Sequence, residues 1–130
     1  MMKKPAYEFV AVDFDGTLCT DAFPEVGEPK PVVIGYVKRL AAAGSKIILY
    51  TSRENGSRKL LDEAIDFCTA QGIRLYAVNE NPGNPHAKKY GLKPSDGRKV
   101  YADLYIDDKA INPAQIEKSF AKRGETNRNK

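Results

Sequence analysis

Tryptophan is absent from this chain of 130 residues, histidine occurs once and cysteine only twice. Cys19 and Cys68 have 48 residues between them and form no CxxC or Cys/His spacing, which argues against a disulfide framework, a redox pair or a zinc site. No apolar run comes near the roughly 20 residues that span a bilayer. No signal peptide opens the sequence either, so the expectation is a cytoplasmic protein with no membrane segment. No internal repeat is apparent.

What is present fits a single soluble domain over residues 1–130, with 42% hydrophobic and 29% charged residues. Of the net charge of +4, the last fourteen residues contribute +3, from five cationic and two acidic side chains. Residues 122–130 therefore read as a flexible basic tail. Such a tail can dock on nucleic acid, but no aromatic residues interleave with its charges, and binding of nucleic acid is the minority reading.

Tyr7 to Asp13 is short, β-branched and aromatic and ends at a glycine turn, the pattern of a buried central strand. Val33 to Ala43 places Val33, Val37, Leu40 and Ala41 at helical spacing, and Gly44 follows as a stop. Lys46 to Tyr50 reads as a second strand. Ser57 is the expected cap of a second helix, with Leu61, Ala64, Ile65 and Cys68 on one face and Gly72 at its end. Ile73 to Val78 is the third strand, residues 79–98 a long loop rich in Pro, Gly and Asn, and Asp103 to Asp107 the last strand. Asn112 and Pro113 open a final helix carrying Ile116 and Phe120. Strands alternating with helices predict a three-layer, doubly wound α/β domain on a parallel sheet, in which ligands bind beyond the carboxyl ends of the strands.

Three of those strand ends carry chemistry. Asp13 and Asp15 stand two apart where the first strand stops, so an extended chain projects both carboxylates to one side. They repel unless a cation sits between them, and Mg²⁺, which takes one or two carboxylates and completes its shell from water and phosphate, is the natural partner. An acidic helix cap accounts for one aspartate but not for two. Asp107 and Asp108 end the last strand on the same edge, and because neighbours alternate faces, only one of them is expected to reach the metal directly. The second strand ends in Thr51, Ser52 and Arg53, a hydroxyl, a turn and a guanidinium suited to phosphate oxygens.

The hexapeptide Asp13-Phe14-Asp15-Gly16-Thr17-Leu18 resembles the first signature of the haloacid dehalogenase superfamily, a DxDGT motif closing the first strand. Leu49-Tyr50-Thr51-Ser52 resembles the second motif and Ile106-Asp107-Asp108 the fourth, in the right order and spacing over residues 7 to 108. The resemblance implies a Mg²⁺-dependent phosphatase that cleaves a phosphomonoester through an aspartyl-phosphate. Asp13 would be the nucleophile. Asp15 would protonate the leaving oxygen, then activate water, and would bind the metal through its backbone carbonyl. Thr51 would hold the phosphoryl group, and Asp108, supported by Asp107, would ligate Mg²⁺.

The superfamily's third motif is a lysine, for which Lys88, Lys89 and Lys99 are candidates. Lys99 is preferred on one condition. It precedes Asp107 by eight residues, which would put it roughly 26 Å away in a fully extended chain, so the backbone must turn at Gly97 and leave a short strand near Asp103 to Asp107. Only 35 residues separate Asp15 from Thr51 and 47 separate Thr51 from Lys99, which leaves no room for a cap domain. A capless site is open to a phosphorylated small molecule or the phosphorylated end of a macromolecule, or to a second subunit covering it. Residues 79–99 carry a local charge of +3 that would draw an anion in. His86 and Cys19 are read as a solvent-facing loop residue and a packing residue.

Two other functions compete. A receiver-type phosphoacceptor domain shares the architecture, but it resembles an adjacent acidic pair on the first strand with the phosphorylated aspartate on the third. In this chain the third strand ends in Asn79 and the adjacent pair comes last. A non-catalytic scaffold that binds phosphate or nucleic acid through its basic loop is the other alternative.

Overall fold

The computed structural model describes residues 4–85, 87–93 and 97–128, with side chains to residue 121. His86 and the side chains of the basic tail lie outside the described residues. The elements in chain order are β1 (Phe9–Val12), α1 (Pro31–Ala42), β2 (Lys46–Leu49), α2 (Leu60–Ala70), β3 (Ala77–Val78), β4 (Leu104–Ile106) and α3 (Pro113–Arg128). All four strands are parallel, in the order β3-β2-β1-β4. The chain steps outward from β1 through β2 to β3, then returns to the other side of β1 as β4. That reversal makes the crevice beyond β1 and β4 the topological switch point of a doubly wound sheet, where such folds bind ligands.

Alternation along the strands divides the core. Val10, Val12, Ile47 and Leu49 face one side, where they pack with Ile34 and Val37 of α1, Ala64 and Cys68 of α2, and Phe14 and Leu18 of the loop after β1. Each fully buried aliphatic side chain there contributes about 1.5–3 kcal/mol. The ring of Phe14 meets that of Phe67 edge-on at 5.3 Å. Ala11 and Ile48 face the opposite side under Val100 and Ala102, with Phe9 and Ala77 against them. The cover on that face comes from the irregular segment before β4, and residues 113–121 of α3 are exposed throughout. Parallel strands flanked by helices thus form a small Rossmannoid α/β core without an obvious cap domain, as the sequence predicts. Among the described residues, no helix is long and apolar enough to cross a membrane.

The elements are offset from the expected bounds by a residue or two at several ends, and three differences go further. The third strand pairs only over Ala77–Val78, against Ile48 and Leu49. The second helix begins at Leu60, and Ser57 does not cap it. Asn55 does so instead: its Oδ1 accepts the N–H groups of Leu61 (3.1 Å) and Asp62 (3.0 Å), because the chain folds back between Asn55 and Lys59. Finally, α3 runs into the basic tail as far as Arg128. Its first turn is capped as predicted, Asn112 Oδ1 accepting the Ala114 N–H at 2.8 Å.

Candidate active site

The carboxyl ends of three strands are tied together by the backbone. The Asp13 N–H donates to the Ile106 carbonyl (2.9 Å) and the Tyr50 N–H to the Val12 carbonyl (2.8 Å), so whatever follows β1, β2 and β4 shares one rim. There Asp13, Asp107 and Asp108 each offer a carboxylate oxygen, all within 4.8 Å of one another. The expectation that only one of the adjacent pair would reach this point is corrected. Strand β4 ends at Ile106, and Asp107 already sits in a turn in which its Oδ1 accepts the Lys109 N–H at 2.9 Å. Face alternation therefore no longer governs the pair.

Thr17 is built into the cluster. Its hydroxyl donates to Asp13 Oδ2 (3.1 Å), stands 3.4 Å from Asp108 Oδ1, and accepts the Asp108 N–H at 3.1 Å. Gly16 makes the close approach possible. It has φ +83°, and a Cβ there would fall 2.3 Å from Asp108 Oδ2. Asp13 is pushed up to about 6, chiefly by burial, with Asp107 and Asp108 adding to the rise and bonds from Thr17 and the Phe14 backbone opposing it. Three clustered carboxylates, all hard oxygen donors, suit a divalent cation that would relieve their repulsion.

Asp15 stands outside this group of three. Its carboxylate takes two parallel bonds of 2.8 Å from Arg53, through Nε and Nη2. The expectation that Arg53 faces the rim to hold phosphate is corrected: it is 1% exposed and lies between the rings of Phe14 and Phe23, 5.0 and 5.2 Å from their centroids. Its remaining bonds go to the carbonyls of Leu60 (3.2 Å) and Glu25 (3.0 Å). A planar fork on an apolar stem suits this inward position better than a rim exposed to water. Lys30, which the sequence did not single out, donates from Nζ to the Gly16 carbonyl at 2.9 Å and so pins the same loop.

Thr51 is half-buried after β2. Its N–H donates to Asn79 Oδ1 (2.9 Å), and its hydroxyl oxygen accepts the Arg53 N–H (3.1 Å), while Ser52 is exposed. Asn79, the residue after β3, adopts φ +50° to make that contact. Lys99 sits at a bend of the chain before β4, which is only three residues long. Its Nζ lies 5.1 Å from the centre of the Tyr105 ring, and it lines a cavity of about 630 Å³ together with Asp107, Tyr50 and Tyr105. Lys88 and Lys89 are exposed on the preceding loop, Lys89 over the ring of Tyr90 at 5.6 Å. Both cysteines are buried thiols. Burial pushes Cys68 up to about 12 and raises Cys19, where Asp15 adds to the effect.

No family model matches this chain. No curated protein matches it either. A solved structure, that of a conserved protein coded by a locus from Bacteroides thetaiotaomicron, is 39% identical over 79% of this chain and 77% of its own, with a TM-score of 0.64. At that identity and coverage, this chain belongs to the same family as the conserved Bacteroides protein.

Proposed function

We infer that this protein is a Mg²⁺-dependent phosphomonoester hydrolase of the haloacid dehalogenase type, working through an aspartyl-phosphate on Asp13. The observation that carries the reading is the meeting of Asp13, Asp107 and Asp108 at the switch point of the sheet, from strand ends more than ninety residues apart in sequence. Asp13, Asp107 and Asp108 would hold the cation. Mg²⁺ bound there offsets the repulsion between carboxylate and phosphate and stabilises the charge that develops during transfer.

The chain's own groups supply the rest. An oxygen of Asp13 attacks phosphorus and the ester oxygen leaves with a proton from Asp15; water then attacks the aspartyl-phosphate and gives its proton back to Asp15. Arg53 fixes the plane of the Asp15 carboxylate. Thr51, Ser52 and Lys99 hold phosphoryl oxygens, a role supported for Lys99 by the cavity it shares with Asp107. An open rim without an obvious cap favours a phosphorylated small molecule or the phosphorylated end of a macromolecule. Buried, unbridged thiols agree with a reducing, cytoplasmic setting.

The test is release of p-nitrophenol from p-nitrophenyl phosphate with and without Mg²⁺, beside Asp13→Asn. Turnover that needs both the metal and Asp13 supports the reading. Equal release by wild type and variant overturns it, and a phosphorylated protein that accumulates without turnover points to a phosphoacceptor instead.

A further inference from the structure

Among the described residues, the stretch around Lys99 pairs with no strand, yet side chains fix it from two sides. The chain bends at Arg98 and Lys99, so one side chain can reach several of its backbone groups while a second holds it from the other side. On one side the amide of Asn81 takes the odd residues: Nδ2 donates to the carbonyls of Gly97 (3.2 Å) and Lys99 (2.9 Å), and Oδ1 accepts the Tyr101 N–H (2.8 Å). On the other side the hydroxyl of Tyr105 takes the even ones, donating to the Val100 carbonyl (2.5 Å) and accepting the Ala102 N–H (3.1 Å). The Tyr105 ring also lies beside Lys99 Nζ.

We propose that Asn81 and Tyr105 are positioning residues for Lys99, two side chains that clamp the bent stretch from either side so that the ammonium is presented to the cavity it shares with Asp107. The proposal rests on the hydrolase reading for its purpose but not for its geometry. Asn81 is 6% exposed and uses both amide hydrogens and its carbonyl on this one stretch. Five side-chain to backbone bonds on six residues hold a loop far more tightly than chain connection alone demands, and such support is what a phosphate-holding lysine needs. Two residues before Asn81, Asn79 fixes the backbone of Thr51, another group of the proposed phosphate site.

The experiment uses Asn81→Asp, which turns an oxygen toward the carbonyls of Gly97 and Lys99, and Tyr105→Phe, which keeps the ring and removes the hydroxyl. Each is made in the wild-type and Lys99→Met backgrounds, with folding checked by circular dichroism. Lysines are dimethylated with ¹³C-formaldehyde, and the Lys99 signal is assigned by its loss in Lys99→Met. Folded variants are expected to shift or broaden the Lys99 signal. They should also lower kcat/KM for p-nitrophenyl phosphate about tenfold in wild type and less than twofold in Lys99→Met, the non-additivity of residues acting through one another. A Lys99 signal unmoved in both folded variants, or equal losses in both backgrounds, overturns the proposal. Absence of Asp13-dependent turnover in the parent sinks the hydrolase reading alone, because the Lys99 signal still reports on the clamp.

Discussion

Arg53 and Asp15 face each other through two parallel hydrogen bonds of 2.8 Å, and the guanidinium side chain has no exposure to solvent. The pair joins the loop after β1 to the turn after β2, two segments that the proposed chemistry needs in register. The bonds from Asp15 raise the Arg53 pKa against the opposing effect of burial, so the arginine stays charged throughout the working range. Arg53→Met should therefore cost roughly 3–5 kcal/mol of stability, because it leaves the carboxylate inside the protein without its partner. Arg53→Lys should fall between, since an ammonium cannot reproduce the fork. Urea melts of the three proteins check this; a Met variant within about 1 kcal/mol of wild type would show that the pair is structurally idle.

Gly16 offers a sharper probe of the acidic cluster. With φ +83° and no room for a Cβ beside Asp108, Gly16→Ala should lose about 1–2 kcal/mol to backbone strain alone. Displacement of Asp108 adds a second effect. The Mg²⁺ concentration giving half-maximal thermal stabilisation should rise about 10–100-fold, the range seen when the support of a metal ligand is disturbed. Melting temperatures across a Mg²⁺ titration measure both, and a variant that is destabilised yet keeps the wild-type midpoint would separate Gly16 from metal binding.

The parts of this molecule that were legible in the sequence are those encoded locally. Asp13-Phe14-Asp15-Gly16-Thr17 closes one apolar run and Asp107-Asp108 another, and the parallel sheet brings strand ends to one rim, so the cluster follows from pattern plus topology. Side-chain direction past a strand end does not. Arg53 follows Thr51 and Ser52 and reads as a rim residue, but the rings of Phe14 and Phe23 and the Asp15 carboxylate draw it inward. Asn55 displaces Ser57 as a cap for the same kind of reason, a fold-back that has no periodic signal. Lys30, Asn81 and Tyr105 act through bonds to the backbone of residues far away in the chain or set in irregular loops, where no 3.6- or 2-residue repeat exists to be read.

The thiols give a prediction about reactivity. Cys68, with its pKa pushed up to about 12 by burial, carries only about one thiolate in ten thousand at pH 8, and Cys19 is buried within the loop after β1. Neither should react with Ellman's reagent in the native protein on the timescale of minutes, and both should react at once in urea. Fast labelling of Cys19 before unfolding would mean that the loop from Gly16 to Lys30 opens locally.

Asp13 links the proposed metal site, the pH and the stability of the fold. Burial lifts its pKa from 3.8 to about 6, so the native state favours the protonated form more than the unfolded chain does. The stability from this group is fully present below about pH 3.8 and is lost as the pH rises through about 6. Without metal, Asp13→Asn should therefore melt a few degrees above wild type at pH 7.5, with the gap closing as the pH falls to 4. Mg²⁺ works in the opposite sense. At about a hundred times its dissociation constant it should add about 2.7 kcal/mol to wild type at pH 7.5. It should add much less at pH 5, where it must displace the Asp13 proton, and little to the asparagine variant at either pH. Thermal melts of both proteins, with and without Mg²⁺ at the three pH values, decide the matter: a gap that does not change with pH would show that Asp13 titrates as an ordinary surface carboxylate.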